Sequence, residues 1–557
     1  MSNVNGLTAF KRFRRLLKLD NKEITHVYVY ALFNGLVNLS LPLGIQAIIN
    51  LIQGGEMSTS WMIMVGIVIL GITLTGFFQY MQLRIVENIS QKIFARSSFE
   101  FAYRFPKINY RALYNYYAPE LANRFFDTLT IQKSLPKILI DFSLAAFQII
   151  VGLFVLSLYH SFFVFFAILL LILVFFLINY IGPMGMKTNL KESKYKYDVA
   201  HWLEEVARTK VTFKLVPDST INLENTDSKV VNYINARESH FRVLVHQFFW
   251  LILFKVIIAA ALLIIGGILV FRQEMNIGQF VAAEIIILLV LASIEKIITS
   301  LEGIYDMLTA LEKIGYVTDL ALDKERKIPQ ITNENEGISV KLENINYTFP
   351  DSKKRTLRNI NLDINAGLKV GIYGENGSGK TTLLHILAGL FEPDEGSIFF
   401  NGVSFSSTDV EELRKNTGYV LSNLEIFSGT ILENITMGRK GIGIEDVTKA
   451  LEIVRLKDYV AALPIGLDTK LDPEGKRIAL SIANKISLAR AIVHKPKLLI
   501  MDSPIEHLDK NDKIHIMKYL TDKSNAFTLI ITCSDQDCGD YLDVRFDMAN
   551  GKIIKNK

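Results

Sequence analysis

Cysteine is almost missing: Cys533 and Cys538 are the only two in 557 residues, and both lie near the C-terminus. Such scarcity argues against a disulfide framework or a zinc site, and it suits a reducing compartment for this part of the chain. No basic patch with interleaved aromatics occurs, and the formal net charge of +5 is small for the length. Nucleic acid is therefore not an expected partner. At the N-terminus, Lys11, Arg12, Arg14, Arg15 and Lys18 are not followed by a short apolar core and a small-residue cleavage site, so no removable signal peptide is expected.

The most telling absence is of charge. From Phe142 to Met186 there is no Asp, Glu, Lys or Arg, more than twice the roughly 20 residues that cross a bilayer. Tyr159, His160 and Ser161 interrupt the run, which reads as two antiparallel spans, about 138–159 and 161–183. Further apolar runs predict spans at about 24–52, with a kink at Pro42, and at 61–83, 248–271 and 277–300. Half of all residues are apolar, and the excess lies before residue 315. One such run could be a buried soluble helix, but six together predict an all-α, six-span transmembrane domain over residues 1–315.

Lysine and arginine set the orientation. The short segments around 53–60, 159–161 and 272–276 contain only Arg272, whereas the N-terminal segment and the connections 84–135 and 187–246 are rich in Lys and Arg. This predicts a multi-pass protein of the cytoplasmic membrane with both termini cytoplasmic. The long connections are helix-compatible, and Tyr114 to Asp127 and Glu204 to Lys214 are candidates to touch the domain that follows.

Ionisable residues inside spans are functional candidates. Counted from the turn near Glu274, Lys255 lies about as far back as Glu295 lies forward, while Glu284 is roughly 15 Å shallower at 1.5 Å per helical residue. Lys255 is therefore expected to pair with Glu295, and whether these three groups contact cargo or are structural stays open. Asn34, Asn38, Gln79 and Gln82 are candidates for a central cavity or for interhelical hydrogen bonds.

Residues 316–337, with the charged Asp323 to Lys327, read as a linker. Beyond it, over 338–557, short apolar strands alternate with helical stretches: Ile338 to Leu342, Lys369 to Tyr373, Ser397 to Phe400, Gly418 to Leu421, Leu498 to Asp502 and Thr528 to Cys533. This pattern predicts an α/β nucleotide-binding fold, and Asn550-Gly551 predicts a C-terminal hairpin turn. The stretch from Gly374 to Thr382, GENGSGKTT, is a complete P-loop match. Gly374, Asn376, Gly377, Ser378 and Gly379 form the tight loop, Lys380 supplies the positive charge, Thr381 offers a hydroxyl to Mg²⁺, and Thr382 continues into the helix. ATP and Mg²⁺ are the expected cofactors.

Six spans followed by this cassette resemble an ATP-binding-cassette (ABC) exporter half-transporter over nearly the whole chain. The resemblance implies that Phe349 stacks on adenine and that Leu498 to Asp502 is the Walker B strand, whose Asp502 joins Thr381 in holding Mg²⁺. Ile486 to Ala491 matches the helix after the signature motif, and Leu508-Asp509 resembles the end of the D-loop. The departures fall on hydrolysis. Ser503 stands where the family has its catalytic glutamate, Cys533 at the switch histidine, and Ser422 at the Q-loop glutamine. The signature is either Ile478 to Ile482 or, with a two-residue deletion, Leu480 to Asn484, and neither has paired glycines. Glu506, three residues beyond Ser503, is the nearest substitute carboxylate, at a D-loop position.

The resemblance implies an exporter subunit working as a homodimer, or as a heterodimer with another half-transporter, with slow or absent ATP hydrolysis. Asn276 to Ala282 resembles the type I secretion and bacteriocin branch. That favours peptide or protein cargo over other amphipathic cargo and allows a periplasmic adaptor. An ATP-sensing membrane regulator or scaffold without pumping activity is the alternative.

Overall fold

The computed structural model describes residues 9–53, 59–114, 116–176, 182–323, 337–421, 425–533 and 541–556. They form two compact units, one of residues 1–107 and 116–320 and one of residues 108–115 and 321–557.

The first unit is helical. Among the described residues five helical stretches are long and apolar enough to cross a membrane: Asn21–Gln53, Thr59–Lys107, Ala118–Ser157, Ile221–Phe271 and Ile277–Thr318. Four of the six expected spans fall inside them, and a fifth, 138–159, runs two residues past the end of Ala118–Ser157. The remaining one, 161–183, falls on the helix Ser161–Phe176, and residues 177–181 lie outside the described residues. Helices of 46 and 51 residues, Thr59–Arg104 and Ile221–Phe271, exceed the roughly 20 residues a bilayer needs, so much of each lies beyond its apolar window.

Proline decides where these helices bend. The first stretch is divided into Asn21–Asn38 and Ser40–Gln53, so the break falls at Leu39 and not at Pro42. Pro42 lacks the N–H that would bond the carbonyl of Asn38, and its ring crowds that carbonyl. Pro136 ends the helix Asp127–Pro136, which widens into a π-turn at Lys137–Phe142 before continuing as Ser143–Ser157. A π-turn relieves the same missing donor without stopping the helix. The last helix, Ile277–Thr318, packs Ile286, Val290 and Ile294 into an apolar cluster with Ala145, Leu153, Leu156 and Leu170. It runs past the expected boundary at 315, and residues 324–336 of the expected linker lie outside the described residues.

The second unit is α/β. Its strands are β1 (Val340–Tyr347), β2 (Leu357–Ile364), β3 (Lys369–Tyr373), β4 (Glu395–Phe400), β5 (Val403–Ser404), β6 (Thr417–Val420), β7 (Gly429–Thr430), β8 (Lys470–Leu471), β9 (Leu498–Asp502), β10 (Thr528–Thr532), β11 (Val544–Ala549) and β12 (Lys552–Asn556). The main sheet runs β12-β11-β3-β10-β9-β6. It is parallel from β11 to β6, with β12 returning antiparallel through the Asn550-Gly551 turn. Strands β3, β9 and β10 are buried at every position, as expected for a parallel sheet covered on both faces. A smaller antiparallel sheet, β2-β1-β4-β5, shares an apolar core with one face through Ile345, Leu362, Ile372 and Ile530.

Candidate functional site

The P-loop leaves the carboxyl end of β3, and β10 separates that strand from β9. This puts the ends of all three strands at one edge, where ligands bind in open parallel sheets. Gly374 has φ 147°, and a Cβ there would lie 2.1 Å from the carbonyl oxygen of Met548. No side chain fits. Gly379 caps the helix Lys380–Leu387 in a left-handed conformation, φ 106°, which glycine adopts without steric cost. The loop's N–H groups and the helix N-terminus therefore surround one concave surface suited to phosphate.

Lys380 Nζ donates to the carbonyls of Gly374 at 2.5 Å and Glu375 at 3.0 Å, so its charge lies across the loop mouth. Thr381 Oγ1 donates to Asp502 Oδ2 across 2.7 Å, and Thr532 Oγ1 donates to Asp502 Oδ1. Asp502 is thus a buried carboxylate held by two hydroxyls from different elements. Ser503 follows it at φ 46°, with its N–H donating to the carbonyl and hydroxyl oxygens of Thr532 at 3.1 and 3.0 Å. The cavity these groups border has a volume of about 440 Å³, within the size range of small-molecule sites. Asn376, Gly377, Gly379, Lys380, Thr381, Thr382, Asp502 and Phe349 all line it. Ser378 Oγ is buried beside it without a partner.

Phe349 is part of an aromatic cluster. Its ring meets Tyr347 edge-on at 5.2 Å and Phe391 edge-on at 5.6 Å, and Tyr114 stacks on it at 5.7 Å. Among the described residues of the Tyr114 to Asp127 candidate, only Tyr114 lies in this unit. Sequence reasoning named it as a contact residue without finding its partner ring.

The positions of the expected departures fall in part among the described residues. The helix Leu480–Ile492 has Ala479 at its N-cap with no side-chain cap, and Ser481 lies in its first turn. Ser422 lies outside the described residues. Cys533, expected at the switch-histidine position, follows β10. Cys538 lies outside the described residues. Glu506 and His507 line the nucleotide cavity next to Ser503. Glu506 was legible as a nearby carboxylate, whereas His507 gave no sequence signal.

In the helical unit Lys255 Nζ pairs with Glu295 Oε2, as the depth count predicts, and Glu284 is half-buried elsewhere on the same helix. Gln82 is fully buried and donates to the Val27 carbonyl at 3.0 Å. Asn34 is fully buried with neither amide atom partnered. These two pack between helices, while Asn38 is half-buried and Gln79 is exposed.

Residues 357–506 match the family model for ABC transporter domains. The chain is 28% identical over 308 residues to the "Probable multidrug resistance ABC transporter ATP-binding/permease protein YheI" of Bacillus subtilis, covering 54% of this chain and 52% of that protein. It is 25% identical over 338 residues to the "Cyclolysin secretion/processing ATP-binding protein CyaB" of Bordetella pertussis, covering 59% and 46%. The chain spans about half the length of these curated relatives. A solved structure of a bacterial Atm1-family ABC exporter with ATP bound is similar at TM-score 0.83 and 18% identity, over 96% of this chain and 95% of that one. The chain carries an ABC transporter domain fused to a helical membrane domain, in the fold of an ABC exporter.

Proposed function

We propose that this chain is an ATP-binding subunit of a membrane exporter that works as a dimer, with ATP binding as its main driving event and with slow hydrolysis. One observation carries the reading: Lys380, Thr381 and Asp502 border a single cavity, and the residue after Asp502 is Ser503. The binding groups are assembled, and the neighbouring base is replaced by a hydroxyl that stays protonated at neutral pH.

The residues fit a magnesium nucleoside triphosphate. Ser378 Oγ is a buried polar atom without a partner, and the left-handed glycines shape an anion cradle. Among the described residues no cluster of His, Cys, Asp and Glu could hold a metal alone. Magnesium would therefore take ligands from Thr381, Asp502 and phosphate, as this ion commonly does, and when bound it would screen phosphate charge. Lys380 would meet the terminal phosphates, and Phe349 would offer its ring to the base.

The Lys and Arg distribution supports a cytoplasmic-membrane location with both termini cytoplasmic. Peptide, protein or other amphipathic cargo is supported by the Asn276 to Ala282 resemblance and by the similarity to a cyclolysin secretion protein. The second half of the dimer is another copy or another half-transporter, and a periplasmic adaptor follows if the secretion resemblance holds. The test is ATP binding, ATP turnover and cargo movement by the protein reconstituted in lipid vesicles, with Lys380→Ala as control. Tight binding, cargo movement and turnover far below ordinary transporter rates are expected. ATP-dependent capture of a partner without cargo movement would replace the exporter reading with an ATP-sensing regulator.

A further inference from the structure

Two carboxylates border the nucleotide cavity, Asp502 and Glu506, and their circumstances differ. Asp502 is buried and accepts hydrogen bonds from Thr381 and Thr532, which orients it toward the loop and the metal position. Glu506 is exposed, and its side chain has no hydrogen bond or ion pair among the described residues. Its oxygens are free to accept a proton.

The backbone explains why a carboxylate three residues beyond Ser503 borders the same cavity. Ser503 adopts φ 46°, and its N–H is held by the end of β10. A left-handed conformation is unfavourable for a residue with a side chain, and those two bonds hold it. From there the chain folds back, and the Glu506 N–H donates to the Ser503 carbonyl at 3.3 Å. A four-residue turn brings its ends within about 7 Å. The turn thus returns a carboxylate to the neighbourhood that the serine leaves without a base.

We propose that Glu506 is the general base for the hydrolysis that remains in this cavity. The inference rests on the reading of the cavity as an ATP site. A lone pair of water oxygen forms the bond to the γ-phosphorus. The bond from that phosphorus to the β–γ bridging oxygen breaks, and ADP leaves with the electron pair. The proton released by the water passes to the Glu506 carboxylate. Ser503 can donate or accept a hydrogen bond with the water but cannot hold its proton.

The experiment measures ATP turnover and ATP affinity of the full chain in lipid vesicles for wild type, Glu506→Gln, His507→Gln, Ser503→Glu and the Ser503→Glu/Glu506→Gln pair. Positioned bases contribute about 10²–10⁴ in rate, and Glu506→Gln is isosteric. It should lower turnover by about 10²-fold and leave affinity within about twofold. With a glutamate at 503, the same Glu506→Gln change should have little effect, which a merely structural role would not produce. Equal turnover in wild type and Glu506→Gln would overturn the proposal. So would loss in His507→Gln alone, or wild-type turnover no higher than Lys380→Ala. That last outcome leaves the binding-driven reading intact, whereas absence of ATP binding removes both.

Discussion

The ring of Tyr114 stacks on the ring of Phe349, with centroids 5.7 Å apart and planes inclined by 28°. Phe349 lines the nucleotide cavity and Tyr114 does not, so the stack supports the aromatic from outside the cavity. Tyr347 and Phe391 hold its edges. Three rings thereby fix the plane that would meet a purine.

Removing the supporting ring should loosen that plane. Aromatic pairs are worth about 0.5–1.5 kcal/mol beyond area burial, so Tyr114→Ala should weaken ATP binding by about two- to tenfold. Tyr114→Phe should bind as wild type. Inorganic tripolyphosphate, which has no base, should bind equally to all three, and an equal loss for both ligands would show that the effect is not at the ring.

Thr381 and Asp502 meet through one hydrogen bond of 2.7 Å, and both oxygens are the proposed metal ligands. Thr381→Val should therefore reduce ATP affinity about tenfold in the presence of Mg²⁺, and hardly at all in excess chelator. Fluorescent nucleotide titration in the two buffers separates metal loss from damage to the phosphate cradle. Equal losses in both would argue against Thr381 as a ligand.

His494 is held neutral. Burial, and then the Arg439 charge, push its pKa down to about 4 from 6.5, and Arg439 Nη1 donates to its Nδ1 across 2.7 Å. Because the folded value is depressed, the unfolded chain takes up a proton between pH 6.5 and about 4 that the folded domain refuses. Stability is lost as pH falls through that window. The loss is at most about 3 kcal/mol. His494→Gln should flatten this part of the unfolding midpoint against pH, and an unchanged slope would count against it.

Lys255 and Glu295 pair between two membrane helices. Removing one partner leaves a charge without its counter-ion, which is costly at low dielectric, while replacing both by apolar residues can be neutral. Lys255→Met and Glu295→Met should each lower thermal stability in detergent, and the double variant should recover most of the loss. Additive losses would mean that the groups act separately, for example on cargo.

Much of this molecule follows from local chemistry. The P-loop is legible because a strand, a glycine-rich turn, a lysine and a helix must occur in that order to bind phosphate, and the structure has Lys380 and Thr381 where that order puts them. The Lys255–Glu295 pair follows from a fixed rise per residue. Strand β2 was missed because its pairing with β1 shifts register between Leu342 and Ile345 and again between Ile345 and Tyr347. Asn344 and Asn359 sit there at positive φ, and such irregularities break the two-residue period that marks a strand.

The sequence by itself determined which segments are apolar enough to span, where phosphate can be cradled, and that no glutamate follows Asp502, since each depends on residues adjacent along the chain. Only the tertiary structure decided that Tyr114 supports Phe349, that Asn34 and Gln82 pack between helices, and that Glu506 turns back to the cavity. Those relations join residues through strand order, helix breaks and a left-handed serine. Their geometry depends on long-range packing, which residue spacing alone does not specify.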